Sequence, residues 1–144
     1  MLDGMMVIPQ GQTSDKLVGN IDIAPTIYDT LGLTPPYPLD GRSLLDLWRV
    51  GGGNSEPPPW RESILLEHWN RYRDATIVTQ SWSYTETKRD KSELYDRVND
   101  PYELNNLWCS PDDPSCAYSD TITNLAAELR LLRPSWDSEP QHSR

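Results

Sequence analysis

The 144-residue sequence has no phenylalanine, two histidines and two cysteines, and 13 lysines and arginines set against 22 aspartates and glutamates. Each shortage excludes something. At a net charge of −9, most of the surface repels nucleic-acid phosphate and anionic membrane. No apolar run approaches the roughly 18 residues of a membrane span, and the first residues carry neither the basic start nor the apolar core of a signal peptide. Hydrophobic residues make up 36%, below the usual level of about 45–50%, so a core built from this chain alone would be thin. What is abundant is proline, at thirteen, with six tryptophans and seven tyrosines. That composition describes a loop-rich chain whose aromatic rings keep polar handles, suited to a layer packed on something larger.

The chain opens with a short apolar run, Met5 to Ile8, and a polar loop, read as a strand end and its exit. Residues 20–48 then read as helix, proline-rich turn and short helix. Ile23, Ile27 and Leu31 recur every four residues with Ala24 and Tyr28 beside them, giving one apolar stripe. Asp22 is placed to cap the helix, Pro25 falls in its first turn, and Gly32 is a left-handed stop. The run Thr34 to Pro38 forbids further helix, Asp40-Gly41 is a turn pair, and Ser43 can cap a second helix carrying Leu44, Leu45, Leu47 and Trp48. Two helices joined by a stiff turn make a docking corner. Its carboxylates, Asp22, Asp29, Asp40 and Asp46, read as caps, turns and solvated faces.

Residues 51–59 pass from three glycines to three prolines and form the clearest internal boundary. Beyond it, residues 63–67, 75–79, 82–87 and 92–95 are short, rich in β-branched or aromatic residues, and spaced as an antiparallel meander, with Trp82 and Tyr84 on one face. So small a sheet needs a cover. The helix expected after Asp120 supplies one, through Ile122, Leu125, Ala126, Leu129 and Leu132, with Pro134 as its end. Asp100-Pro101-Tyr102-Glu103 reads as the start of another short helix, turning Leu104 and Leu107 inward. Residues 135–144 read as a tail. The fold class is α+β.

Three stretches carry a resemblance. Val18, Asp22-Ile23, Pro25-Thr26-Ile27, Asp29 and Gly32-Leu33, followed by Asp40-Gly41-Arg42-Ser43-Leu44-Leu45, resemble the run that follows the last metal-binding segment of the sulfatases, hydrolases of sulfuric esters on an alkaline-phosphatase type of fold. Trp60-Arg61 resembles that family's entry into its smaller C-terminal subdomain. Glu93-Leu94-Tyr95-Asp96, Asp100-Pro101, Glu103 and Asn106-Leu107 resemble a signature further on. The likeness covers residues 18–133 and is similar to the N-acetylglucosamine-6-sulfatase branch. One departure stands out: where the family often has an arginine and a lysine near a threonine and a tyrosine, this chain has Val78 and Ser83 around Thr79 and Tyr84.

The resemblance implies a layout: residues 1–50 as the C-terminal edge of the α/β catalytic domain, 51–59 as linker, 60–134 as the small subdomain, and 135–144 as tail. It also implies what is missing. Sulfatases use a formylglycine made from a "[CS]-x-P-x-R" motif and a calcium ion held by aspartates and an asparagine, all in the N-terminal domain. This chain has no such motif. Cys109-Ser110-Pro111-Asp112-Asp113 has the cysteine and proline in register but an aspartate where arginine is required. Cys109 and Cys116 are instead candidates for a bond closing the loop between them, with two thiols as the alternative. Asp112, Asp113 and Asp120 lack the spacing of a calcium loop and read as solvated.

His68 is the one histidine inside the expected fold. It reads either as a hydrogen-bonded structural residue or as a sugar-facing group at the rim of a neighbouring active site. In family members acting on glucosamine sulfates the corresponding strand runs into a loop that reaches the pocket, which makes Glu67, His68 and Trp69 the substrate-side candidates. Arg71 and Arg73 read as an exposed loop. The expectation is therefore a sulfatase C-terminal fragment with no catalytic residue and no metal of its own. Its partner would be the missing N-terminal catalytic domain, reaching a sulfated sugar or aryl sulfate through the parent, and it would contact neither nucleic acid nor a membrane span. The parent is expected to use calcium and formylglycine in a secreted, periplasmic or lysosomal setting. The alternative is a non-catalytic interaction or carbohydrate-binding module derived from a sulfatase.

Overall fold

A computed structural model describes residues 11, 13–48, 59–68, 73–88 and 90–133. The expected strand end at Met5 to Ile8, most of the linker, Trp69, Arg71, Pro134 and the tail lie outside the described residues. The chain divides into two compact units, Met1–Arg61 and Glu62–Arg144.

In the first unit a 3-10 turn, Asn20–Asp22, runs into helix α1, Ile23–Thr30, and a single helical turn follows as α2, Leu45–Trp48. The stop after α1 is as the sequence indicates. Gly32 adopts φ +63°, Leu33 N–H donates to the Tyr28 carbonyl at 2.9 Å, and Gly32 N–H to that of Asp29 at 3.2 Å. These two bonds use up carbonyls that the helix leaves orphaned. Ser43 acts as expected at the second helix, its Oγ accepting from the Leu45 amide at 3.3 Å. The start of α1 differs. Asp22 makes no side-chain bond to that helix; its carboxylate turns the other way, into the unit, and is fully buried.

The second unit is a four-stranded antiparallel meander, in order β1-β2-β3-β4, made of Ser63–His68, Asp74–Thr79, Trp82–Thr87 and Glu93–Asp96. Every strand lies within one residue of its expected position. The register pairs Leu65 with Ile77, Ile77 with Tyr84, and Tyr84 with Leu94, so these side chains share a face. Helix α3, Ser119–Leu132, covers that face with Ile122, Leu125, Ala126 and Leu129, closing one core with Ala75, Ile77, Tyr84 and Leu94. Leu132, expected in the stripe, stays exposed on the last turn.

Two further local expectations fail. No helix forms after Asp100: the segment is a series of turns, Glu103 takes φ +54°, and Leu104 is 77% exposed. Side chains take backbone donors of this segment and of the neighbouring strand β4. Asp100 accepts from the Asn105 amide at 2.8 Å, and the Asn106 side-chain oxygen accepts from Leu94 N–H at 3.0 Å and Trp108 N–H at 2.9 Å. A helix this short has too few bonds of its own to compete. Leu107 does pack against the core, its amide donating to the Leu94 carbonyl at 2.8 Å. Asp120 is not the cap of α3 either. The helix begins one residue earlier, at Ser119, with no side-chain cap bond, and Asp120 sits in the first turn, where its charge still favours the positive helix end.

Candidate functional site

The most constrained polar group among the described residues is Asp22. Its Oδ1 accepts from the Arg42 amide at 2.8 Å and from Arg61 Nη2 at 2.6 Å; its Oδ2 accepts from the Gly19 amide at 2.9 Å and from Arg61 Nη1 at 2.6 Å. The guanidinium therefore grips the carboxylate with two parallel bonds, in the strongest geometry available to such a pair. Trp60 supports it from below. Its indole N–H donates to the Leu17 carbonyl at 2.7 Å, and the guanidinium carbons of Arg42 and Arg61 lie 4.7 and 5.2 Å from the ring centroid. Arg42 also donates to the Pro59 carbonyl at 2.6 Å.

The rest of the corner joins the same network. Thr26 Oγ1 donates to the Asp22 carbonyl at 2.6 Å and accepts from the Leu44 amide at 2.9 Å. Ser43 Oγ donates to Asp29 at 2.7 Å. Gly41 is required by space, because a Cβ there would overlap the Ile21 carbonyl group and approach the Asp22 amide nitrogen at 2.9 Å. Asp22, Thr26, Asp29, Gly41, Ser43, Trp60 and Arg61 are thus parts of one clasp.

That geometry decides what Asp22 can do. Burial alone would push its carboxyl up, but the hydrogen bonds from Arg61, Arg42 and Gly19 and the arginine's charge outweigh it and hold the group below its ordinary value. A carboxylate with four fixed donors has no lone pair left for a metal or a proton in transit, so the clasp is structural.

Of the substrate-side candidates, Glu67 and His68 fall on opposite faces of the sheet. Glu67 pairs with Ala75 and His68 with Asp74 across the β1–β2 ladder, so alternation sends Glu67 to the face of the sheet that carries α3 and His68 to the opposite face. His68 is 71% exposed, with Nδ1 3.5 Å from Asp74 Oδ2. Trp69 lies outside the described residues.

Cys109 and Cys116 are joined, their Cα atoms 5.6 Å apart, so the cysteine that mimics the catalytic motif is occupied in a disulfide. Asp113, in arginine's place, is held below its ordinary value by the Ser115 hydroxyl and amide that donate to it. Among the described residues, no group of three or more histidines, cysteines, aspartates or glutamates could hold a metal ion.

Sequence reasoning missed two polar pairings. Arg61 lies 39 residues after Asp22, with no local pattern linking them. Tyr84, expected on the inward face of the sheet, is buried with its hydroxyl donating to Glu86 at 3.2 Å, and Glu86 in turn pairs with Arg133. Burial, with the negative charge of Glu86 beside it, pushes the phenol up to about 12.

Comparison with known proteins agrees with this architecture. Residues 5–134 match the family described as N-sulphoglucosamine sulphohydrolase, C-terminal. The chain is 31% identical over 110 residues to the N-acetylglucosamine-6-O-sulfatase of Bacteroides thetaiotaomicron, an alignment spanning 70% of this chain and 19% of that protein. It is 40% identical over 73 residues to the N-acetylglucosamine-6-sulfatase of Homo sapiens, spanning 50% of this chain and 12% of that one. The fold superposes on the solved structure of BT4656 in complex with its substrate D-glucosamine-2-N,6-O-disulfate at a TM-score of 0.62 and 24% identity, covering 85% of this chain and 25% of the other. The chain therefore spans about a quarter or less of these relatives, and it belongs to the C-terminal domain family of the sulfatases.

Proposed function

We propose that this chain is the non-catalytic C-terminal portion of a calcium-dependent hydrolase of sulfate esters, acting on a sulfated aminosugar. The single observation that carries this reading is the clasp. The chain's most distinctive polar residues are consumed in holding Asp22, and among the described residues no group of three or more histidines, cysteines, aspartates or glutamates is placed to hold a cation. On this reading residues 1–50 complete the edge of the catalytic domain, 51–59 link it to the subdomain of 60–134, and the formylglycine and calcium ligands come from sequence preceding Met1. The sugar class follows from the relatives, two of which are named for 6-sulfated N-acetylglucosamine.

Within the chain, His68 is the residue with a path to such a substrate. It stands 71% exposed at the end of an edge strand, whereas Glu67 points to the face that α3 occupies. The test begins with the reading frame upstream of Met1, where a "[CS]-x-P-x-R" sequence is expected. The 144-residue chain should not turn over an aryl sulfate, and the full polypeptide should, losing activity when calcium is chelated. His68→Ala in that full polypeptide should lower kcat/KM for an N-acetylglucosamine sulfate by roughly ten-fold, the size of one lost charge-assisted contact, while Glu67→Gln leaves it unchanged. Turnover by the 144 residues alone, surviving Cys109→Ser, overturns the reading.

A further inference from the structure

Strand β2 is entered through a constrained step. Arg73 stands at φ +50°, a left-handed conformation that long side chains rarely adopt, and its carbonyl accepts from the Lys88 amide at 3.2 Å. Asp74 follows as the first residue of β2 and pairs with His68, the last residue of β1, so both side chains leave the same face at the same end of the sheet. Asp74 Oδ2 lies 3.5 Å from His68 Nδ1, with the carboxylate side chain 27% exposed and the imidazole 71%. The other oxygen, Oδ1, is buried and has no hydrogen-bond partner among the described residues. Three local costs therefore meet at one position: a left-handed residue before it, an aspartate in a strand, and a buried acceptor left unsatisfied. The ladder itself needs none of them.

We infer that Asp74 is a positioning residue for His68, keeping a hydrogen on Nδ1 and so offering Nε2 as an acceptor to a hydroxyl of the sulfated sugar. The inference rests on the substrate contact proposed above for His68 and adds the group that orients it. Which ring nitrogen carries the hydrogen is set by what the other one meets. A solvated histidine side chain favours hydrogen on Nε2; a carboxylate beside Nδ1 reverses that preference, because a bare lone pair there would face negative charge. The two partners are unequal in a way that suits the roles. Asp74 lies on a strand paired on both sides, with His68 of β1 and Thr87 of β3, whereas His68 lies on the edge strand. At 3.5 Å the contact is longer than a formed charge-assisted bond, and contacts of this kind close when a substrate is seated.

Two measurements test it. The 144-residue chain has two histidines, so nitrogen-15 spectra of the histidine-labelled chain, with His142→Gln to assign the second, read the tautomer directly at about pH 8.5, where an ordinary imidazole is neutral. His68 should carry its hydrogen on Nδ1, and Asp74→Ala should return it to Nε2. In the full polypeptide, Asp74→Ala should lower kcat/KM for an N-acetylglucosamine sulfate by roughly three-fold, and should cost nothing further in a His68→Ala background. Hydrogen on Nε2 in the parent chain overturns the inference. So does an equal loss from Asp74→Ala in both backgrounds, which is what a merely structural role would give. If His68→Ala leaves kcat/KM unchanged, the substrate contact and the role of Asp74 fall together. If His68→Ala costs its expected ten-fold while Nε2 carries the hydrogen, the role of Asp74 falls alone.

Discussion

Asp22→Asn is the sharpest test of the clasp. The substitution barely changes volume, but the carboxamide keeps one acceptor oxygen and puts an NH2 group where the other oxygen stood. Whichever way it turns, two of the four donors, one backbone amide and one arm of Arg61, face a donor. Arg61, only 14% exposed, keeps its charge and loses its counter-ion. Breaking a buried ion pair from one side costs about 3–5 kcal/mol, a large share of what a small unit can hold. Urea unfolding of the 144-residue chain, with hydrogen exchange read at the Arg42 and Gly19 amides, measures it. The expected result is loss of protection at both amides and opening of residues 13–48 before the sheet. Adding Arg61→Met to Asp22→Asn should recover part of the loss, because the stranded charge is gone. The pH dependence has a fixed sign. Asp22 sits below its ordinary value, so the clasp's contribution is complete at neutral pH and is lost as pH falls below about 4, through the folded value. The acid limb of the stability curve should flatten in Asp22→Asn. A variant within about 1 kcal/mol of the parent, its Arg42 amide still protected, would refute the argument.

Three further outcomes follow from the same structure. Gly41→Ala drives a Cβ into the Ile21 carbonyl, a backbone group that cannot step aside, and should cost about 3 kcal/mol or more, whereas Gly32→Ala meets open space and suffers only its positive φ, about 1 kcal/mol; paired urea titrations compare them. Replacing Cys109 and Cys116 by serine opens a bridge across seven positions and should cost about 2.5 kcal/mol in chain entropy, lowering the melting temperature of the second unit by about 10–20 °C. Tyr84, pushed up to about 12, keeps its proton in the folded state after the unfolded chain has lost it. Stability from this group is therefore intact below pH 10 and lost between about 10 and 12, by about 3 kcal/mol, and Tyr84→Phe should remove that alkaline limb in a pH series of melts.

The strands and the last helix were legible because their information is local. Alternation in Ala75 to Thr79 and Trp82 to Thr87, and a period near 3.6 from Ile122 to Leu129, mark which side chains share a face, and in this unit the marked face is the buried one. The Asp100 segment misled for a local reason as well. Its proline and carboxylate spacing match a helix start, but Asp100 and Asn106 offer the backbone better acceptors than a single helical turn can.

Asp22 misled for a different reason. A row of isoleucines reports that one side of α1 is apolar and says nothing about which side meets the unit's own interior. The side that turns inward carries Asp22, gripped by both arms of Arg61, 39 residues away. Once Asp22 is drawn inward, the helix must turn with it: Thr26 and Asp29, four and seven positions on, follow to the same side, and Ile23 and Ile27 are carried to the other. A residue read as a local cap thus sets the orientation of the whole helix through a partner the local pattern does not contain. The exposed isoleucines are the consequence, since the side of the helix that carries the paired groups is the one turned inward.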